Sequence, residues 1–382
     1  MKRGFSPLDR RLRLRRGPWS EGVIREAAWL GTTQPSFEIA AETFSRLTGL
    51  WISDTTVWRY HQQATVGIER QMRQEEKEVH CPVFAGQKGK VHQPVSDHAS
   101  VSIDGTTVRI RGEGGREVKM VSVSEVTVRP QRATPRRDGQ PPTGTGSEDR
   151  QEQGQGDVRA AEGDPGSLTQ KRGRQDGLKL TKHSYRVVLG DKAAFEPVLV
   201  TELVRRQVTS VARVTTVNDG GDWIWEMAER LLPAHRVEIL DWPHAMQNLA
   251  KAGEAAWGEG KPKAYAWLAE REKELWEGRV LEVRTALEQL PERRRARGKA
   301  IRQVRDYFAQ HEPRLDYQRF REDGRPIGSG TVESAAKNVV GWRMKRGGQS
   351  WSRPGATRML AALGEVHSRR WREAWQRLAK AA

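Results

Sequence analysis

Asp104 and Asp219 each close an apolar, alternating run, and each is followed at once by glycine, in "SVSIDG" and "TVNDGG". Carboxylates at the carboxyl ends of strands sit where open sheets place their sites. A third acid, Glu333, stands early in the small-residue segment "GSGTVESAAK". Two carboxylates held near each other raise at least one pKa unless a cation intervenes. Oxygen ligands without a His or Cys cluster favour a hard divalent ion, Mg²⁺ or Mn²⁺. Two such ions would stabilise both the attacking and the leaving oxygen of an in-line phosphodiester displacement. Taken singly, each acid also has an ordinary reading. Asp104 suits a turn before glycine, Asp219 a loop, and Glu333 the first turn of a helix with Gly330 as its N-cap.

Two neighbours complicate the set. Asp222 competes with Asp219, although its place before "WIWEMAERLL" suits a helix N-cap. Downstream, "LDWPHAM" offers Asp241 and His244. An Asp cap with Pro in the first turn is an ordinary helix start. His244 is then either a helix-start histidine satisfied by Asp241 or backbone, or a group set near the scissile phosphate.

The elements that must position these groups follow from periodicity. Residues 21–78 are patterned as helices, and 79–97 read as loop. Residues 98–128 alternate apolar and polar side chains and break at Gly112, Gly114 and Gly115, a β-hairpin signature in which Ser100, Ser102 and Asp104 share one face. The tract 130–175 is rich in Pro, Gly, Gln and charge and almost lacks aliphatic residues, so a disordered insertion is expected. Then "HSYRVVLG" reads as a strand and "FEPVLVTELVRRQV" as a helix, followed by two further strand–helix units. Residues 245–325 are helical and Arg-rich, with Trp257, Trp267 and Trp276 at spacings that suit buried faces. This order predicts an α/β fold: a mixed sheet with helices packed on it.

The chain has 382 residues, enough for two or three compact units. Its 66 Lys and Arg against 49 Asp and Glu give a net charge of +17, which favours a polyanion as partner. A single cysteine, Cys81, excludes an internal disulfide or a cysteine-built metal site, and a reducing interior fits. No apolar run approaches the roughly 20 residues that span a bilayer, so no membrane is expected. Residues 1–17 are basic without an apolar stretch behind them and read as a flexible arm.

Within 18–78, Ile39, Ala40, Phe44 and Leu47 form an apolar stripe, Gly49 ends that helix, and Ser53 caps the next. Val57 points inward, while Thr55, Thr56, Arg59 and Gln63 project outward. This is helix-turn-helix grammar, and Thr56 and Arg59 are the expected DNA contacts. At the other end, Arg343, Lys345 and Arg346 have no nearby carboxylate in sequence and are expected to meet phosphate. Lys337, one helical turn beyond Glu333, is placed either to pair with it or to join that surface. Trp351 is placed either to stack on an unpaired base or to pack.

"SIDGTTVRI", "TVNDGGDWIW", "ILDWPHAMQNL" and "GSGTVESAAKNVVGWRMKRGGQSWS", in this order, resemble a bacterial insertion-sequence transposase of the DDE class, in the ISKra-type group related to the mutator-like superfamily. The resemblance covers roughly residues 30–375 apart from the low-complexity tract, and the last motif is the most specific. It implies a ribonuclease-H-like core in 98–244, a helical insertion in 245–325 before the glutamate, and C-terminal core helices in 326–382. By it, Asp104, Asp219 and Glu333 match the three metal-holding acids, and Asp241 and His244 match a D-x-x-H signature. The implied activity is Mg²⁺- or Mn²⁺-dependent cleavage and strand transfer of DNA by a homodimer or larger assembly. Its partners would be the element's terminal inverted repeats and target DNA in the bacterial cytoplasm. Two alternatives stand beside it: a DNA-binding regulator with a retired catalytic domain, and a metal-dependent nuclease without strand transfer.

Overall fold

The computed structural model describes residues 19–79, 91, 93–128, 177–291 and 296–381. The expected arm 1–17 and the tract 130–175 lie outside the described residues.

Three helices come first: α1 (Glu21–Thr33), α2 (Phe37–Thr48) and α3 (Asp54–Glu78). Ser20, Ser36 and Ser53 cap them, each hydroxyl accepting from a first-turn backbone N–H. Gly49 ends α2 in the left-handed region at φ +71°, as its sequence position predicted. Ala27, Leu30, Ala40, Phe44 and Val57 make a small core between them. Leu47, expected in that stripe, is instead 77% exposed and lies outside this core.

The described strands form one five-stranded mixed sheet in the order β3-β2-β1-β4-β5. They are β1 (His98–Ile110), β2 (Gly114–Val128), β3 (Leu178–Leu189), β4 (Arg213–Asn218) and β5 (Val237–Leu240). β1–β2 and β2–β3 pair antiparallel; β1–β4 and β4–β5 pair parallel. The predicted α/β architecture with a mixed sheet is therefore present.

Alternation along β1 sends its side chains to two cores. Ala99, Val101 and Ile103 face α4 (Lys192–Arg205) and α5 (Asp222–Leu231). Val108 and Ile110 face the other way, against a segment built from α11 (Gly330–Ser334), a π-helical stretch (Ala335–Gly341), α12 (Trp342–Met344) and α13 (Arg353–His367). Asp104 has the parity of Val108 and Ile110, so it projects toward the Glu333 side. Each large aliphatic side chain buried in these cores contributes about 1.5–3 kcal/mol.

Residues 242–322 supply α6 (Trp242–Trp257), α7 (Pro262–Trp276), α8 (Val280–Glu288), α9 (Ala296–Gln310) and α10 (Tyr317–Glu322). They close a third core against β4 and β5, in which Val217, Ile239 and Leu240 meet Leu249, Val304 and Phe308. Trp257, Trp267 and Trp276, expected on buried faces, pack against this core at its margin and are half-buried. The chain ends with α14 (Trp371–Ala381). An ionic network away from the sheet's carboxyl ends ties α3, α4 and α13 together. In it Arg370 pairs with Glu202 at 3.0 Å, and Arg205 bonds Glu75 and lies 3.5 Å from Glu365. Among the described residues no helix is long and apolar enough to cross a membrane.

Candidate active site

β1 and β4 separate just before the first acid. Their parallel pairing covers only His98–Val101 with Arg213–Thr216. The side chain of Asn218 then bridges the gap, its Oδ1 accepting from Ile103 N at 2.7 Å. Beyond that point β1 continues on β2 alone to Ile110, so Asp104 lies within its strand, opposite Met120. The sequence had placed Asp104 at the end of the strand; what ends there is the pairing with β4. The parted strands leave a cleft of about 250 Å³ lined by Asp104, Asp219, His244, Gln247, Glu333 and Lys337.

Asp104 is half-buried, and its Oδ1 accepts from Gly105 N at 2.6 Å. Burial, together with the charges of Asp219 and Glu333, pushes its carboxyl up to about 6 against the pull of that hydrogen bond and of His244. Asp219 follows β4 directly, its Oδ1 accepting from Gly221 N at 3.1 Å. Asp222 begins α5 on the outside, where Gln310 donates to its Oδ1 at 2.7 Å. Of the two rivals, Asp219 lines the cleft.

Glu333 enters from the far side on α11. The cap of that helix is Ser329, with Gly330 as its first helical residue, which corrects the expected Gly330 cap by one position. Ser329 offers no side-chain cap; its hydroxyl lies 3.4 Å from Glu333 Oε1. The π-helical stretch begins two residues after Glu333, and its wider turn brings Ala336 and Lys337 to the same cleft. Lys337 makes no ion pair with Glu333 there. The acid's ionisable neighbour is His244, whose Nδ1 lies 3.4 Å from Oε1.

His244 is held by Asp241, the fully buried N-cap of α6. Asp241 Oδ2 accepts from His244 N at 3.0 Å and from its Nδ1 at 2.7 Å, and Oδ1 accepts from Ser329 N at 2.5 Å. The hydrogen bond to Asp241 raises the His244 pKa above its ordinary value against the effect of burial, and Glu333 and Asp219 add to the rise. Of the two expected readings of His244, the histidine satisfied by Asp241 is observed, and the ring also lines the cleft beside Glu333.

Among the described residues, Asp241, His244 and Glu333 form the one group of potential ligands whose ligand atoms all lie within 4.8 Å of one another. Asp241 already accepts at both oxygens, so it acts as a brace. The expected trio of Asp104, Asp219 and Glu333 lines the cleft without closing into so tight a group. Carboxylates around an open cleft, one of them raised by burial and then by its acidic neighbours, nevertheless fit a hard divalent cation.

The basic segment after Glu333 divides. Lys345 and Arg346 are exposed, and the Lys345 ammonium bonds Thr106 Oγ1 beside Asp104. Arg343, expected at phosphate, is 2% exposed. Its guanidinium donates to the carbonyls of Gly31 and Pro35 and lies 4.7 Å from the Phe37 ring centroid and 5.1 Å from that of Trp351. Burial brings its pKa down to about 10. It fastens the N-terminal helices to the Glu333 segment and is not a DNA-facing group. Trp351 takes the packing alternative. Its Nε1 donates to Met344 O, and its backbone bridges to Ile110 at the end of β1. In α3, Arg59 is exposed, whereas Thr56 is half-buried with its hydroxyl 2.8 Å from Ser53 Oγ.

A scan against protein-family models and a search of curated proteins find no match to this chain.

Proposed function

We infer that the chain is a divalent-metal-dependent polynucleotidyl transferase, a DDE-class transposase that cuts and joins DNA at the ends of its own element. One observation carries this reading: Asp104, Asp219 and Glu333, far apart in sequence, line a single cleft where β1 and β4 part. The strand order, two antiparallel pairings followed by two parallel ones, agrees with a ribonuclease-H-like core. The net charge of +17 suits a DNA substrate. Two consecutive helices joined by a short turn, with Arg59 outward, support a helix-turn-helix reader of the terminal repeats.

Asp104, Asp219 and Glu333 would hold Mg²⁺ or Mn²⁺. When bound, such ions supply Lewis-acid stabilisation of the attacking and leaving oxygens of a phosphodiester. The chain's own groups do the rest. His244 keeps its Nδ1 proton on Asp241, which fixes the ring at the mouth of the cleft. Lys337, on the same wall, offsets phosphate charge. Lys345, held at Thr106, marks the path by which a DNA backbone would reach Asp104.

The test is incubation with Mg²⁺ and DNA bearing the inverted repeats that flank the reading frame. Wild type should cleave and join, and Asp104→Asn, Asp219→Asn and Glu333→Gln should each bind without cutting. Asp222→Asn should keep activity. Binding without cleavage by the wild type would favour the regulator, and cleavage without joining would favour the nuclease.

A further inference from the structure

The turn that carries Asp219 is held from outside the sheet. Tyr307, on α9, donates from its hydroxyl to the Asp219 carbonyl at 2.8 Å. One helical turn later, His311 Nε2 lies 3.1 Å from the Gly220 carbonyl, and since a carbonyl only accepts, Nε2 carries the proton. The two rings meet edge to face, with centroids 4.7 Å apart. Gly220 adopts φ +93°, and a Cβ there would stand 2.6 Å from the Tyr307 oxygen. The glycine therefore permits both the backbone bend and the close seat of the phenol. The same hydroxyl meets the side chain of Asn248, whose amide donates to the His244 carbonyl at 2.9 Å. One side chain from the helical insertion thus joins the Asp219 turn to the helix bearing His244.

We propose that Tyr307, backed by His311, is a positioning residue that fixes the Asp219 carboxylate for a divalent cation. The proposal rests on Asp219 being a cation ligand, as inferred above. Tyr307 never touches the carboxylate; it sets where the Asp219 backbone stands. Without the phenol oxygen the Asp219 carbonyl loses its donor, and the glycine-rich turn is free to relax. Groups that orient metal ligands from behind typically change metal affinity by about 10- to 100-fold when removed. The helical segment inserted before Glu333 would then tune the site and not merely decorate the fold.

The experiment titrates Mn²⁺ into the full chain without DNA and follows the free-ion signal by electron paramagnetic resonance, with melting temperatures recorded for each variant. Wild type should bind, Asp219→Asn should lose that binding, and Tyr307→Phe should weaken it about tenfold with little change in melting temperature. Ile301→Ala, a core truncation two turns earlier on α9, should lower the melting temperature and leave Mn²⁺ affinity intact. If Tyr307→Phe binds as tightly as wild type while Asp219→Asn does not bind, the positioning role is overturned and the cation reading stands. If Ile301→Ala weakens Mn²⁺ as much as Tyr307→Phe, the effect belongs to helix stability and the proposal fails. A wild type that takes up no Mn²⁺ would overturn both.

Discussion

The carboxylate of Asp241 accepts from two nitrogens of His244, the backbone N at 3.0 Å and the ring Nδ1 at 2.7 Å, and from Ser329 N through its other oxygen. One buried side chain thereby fixes the start of α6 against the start of α11, and so His244 against Glu333. Truncation by Asp241→Ala strands two backbone donors and the ring N–H of half-buried His244. The expected loss is about 2–4 kcal/mol, measured by urea denaturation. Asp241→Asn keeps the shape but cannot replace all three acceptances and should fall between the two.

Asp104 makes the opposite prediction. Its carboxylate is crowded by burial and by Asp219 and Glu333, which favours its neutral form. Asp104→Asn removes a charge that the cation-free fold resists. It should therefore raise the melting temperature in EDTA, by an amount corresponding to about 1–2 kcal/mol. Mg²⁺ should stabilise wild type and do little for the variant. A variant that melts below wild type in EDTA would show that the acids do not strain the apo cleft.

Asp104, Asp219 and Glu333 were legible because each sits in a strong local pattern: alternation before Gly105, alternation before Gly220, and a small-residue helix after Gly330. That the three would share one site was expected from the strand ends and the resemblance; what the local patterns did not show is how the cleft opens, with β1 leaving β4 after Val101. Arg343 misled for the same reason. In sequence it belongs to a basic run, yet its partners Gly31 and Pro35 lie more than 300 residues away. The grip of Tyr307 and His311 on the Asp219 turn was missed entirely. The one hint was Gly220 in "NDGG", a residue that allows a positive φ without announcing what closes over it.

Arg343 and Arg346 should behave as opposites. Arg343→Ala leaves the Gly31 and Pro35 carbonyls without their donor and opens the space between Phe37 and Trp351. It should cost about 2–3 kcal/mol and speed proteolysis within α1–α3. The exposed pair Lys345→Ala and Arg346→Ala should leave stability within about 0.5 kcal/mol. Each should weaken DNA and lower the slope of log affinity against log salt by about one. Equal stability losses at 343 and 346 would contradict this division.

His61 gives a pH dependence with a definite sign. It is fully buried on α3 with neither ring nitrogen hydrogen-bonded, beside Phe37 at 5.4 Å. Burial first, and the Arg343 charge second, bring its pKa down to about 3. The folded chain therefore keeps the ring neutral while the unfolded chain takes up a proton below the usual value of 6.5. Stability from this residue is complete above pH 6.5 and falls by about 1.4 kcal/mol per unit as the pH drops toward 3. His98, held down to about 4 by burial, acts in the same direction and would be lost in parallel. His61→Leu keeps an apolar side chain in the site and removes one titrating group. Denaturation midpoints measured from pH 7 to pH 4 should then decline less steeply than in wild type, by about one proton's worth of slope. Identical slopes would mean that the His61 ring is solvated in solution and that the junction between α3 and the Arg343 segment is looser than its packing implies.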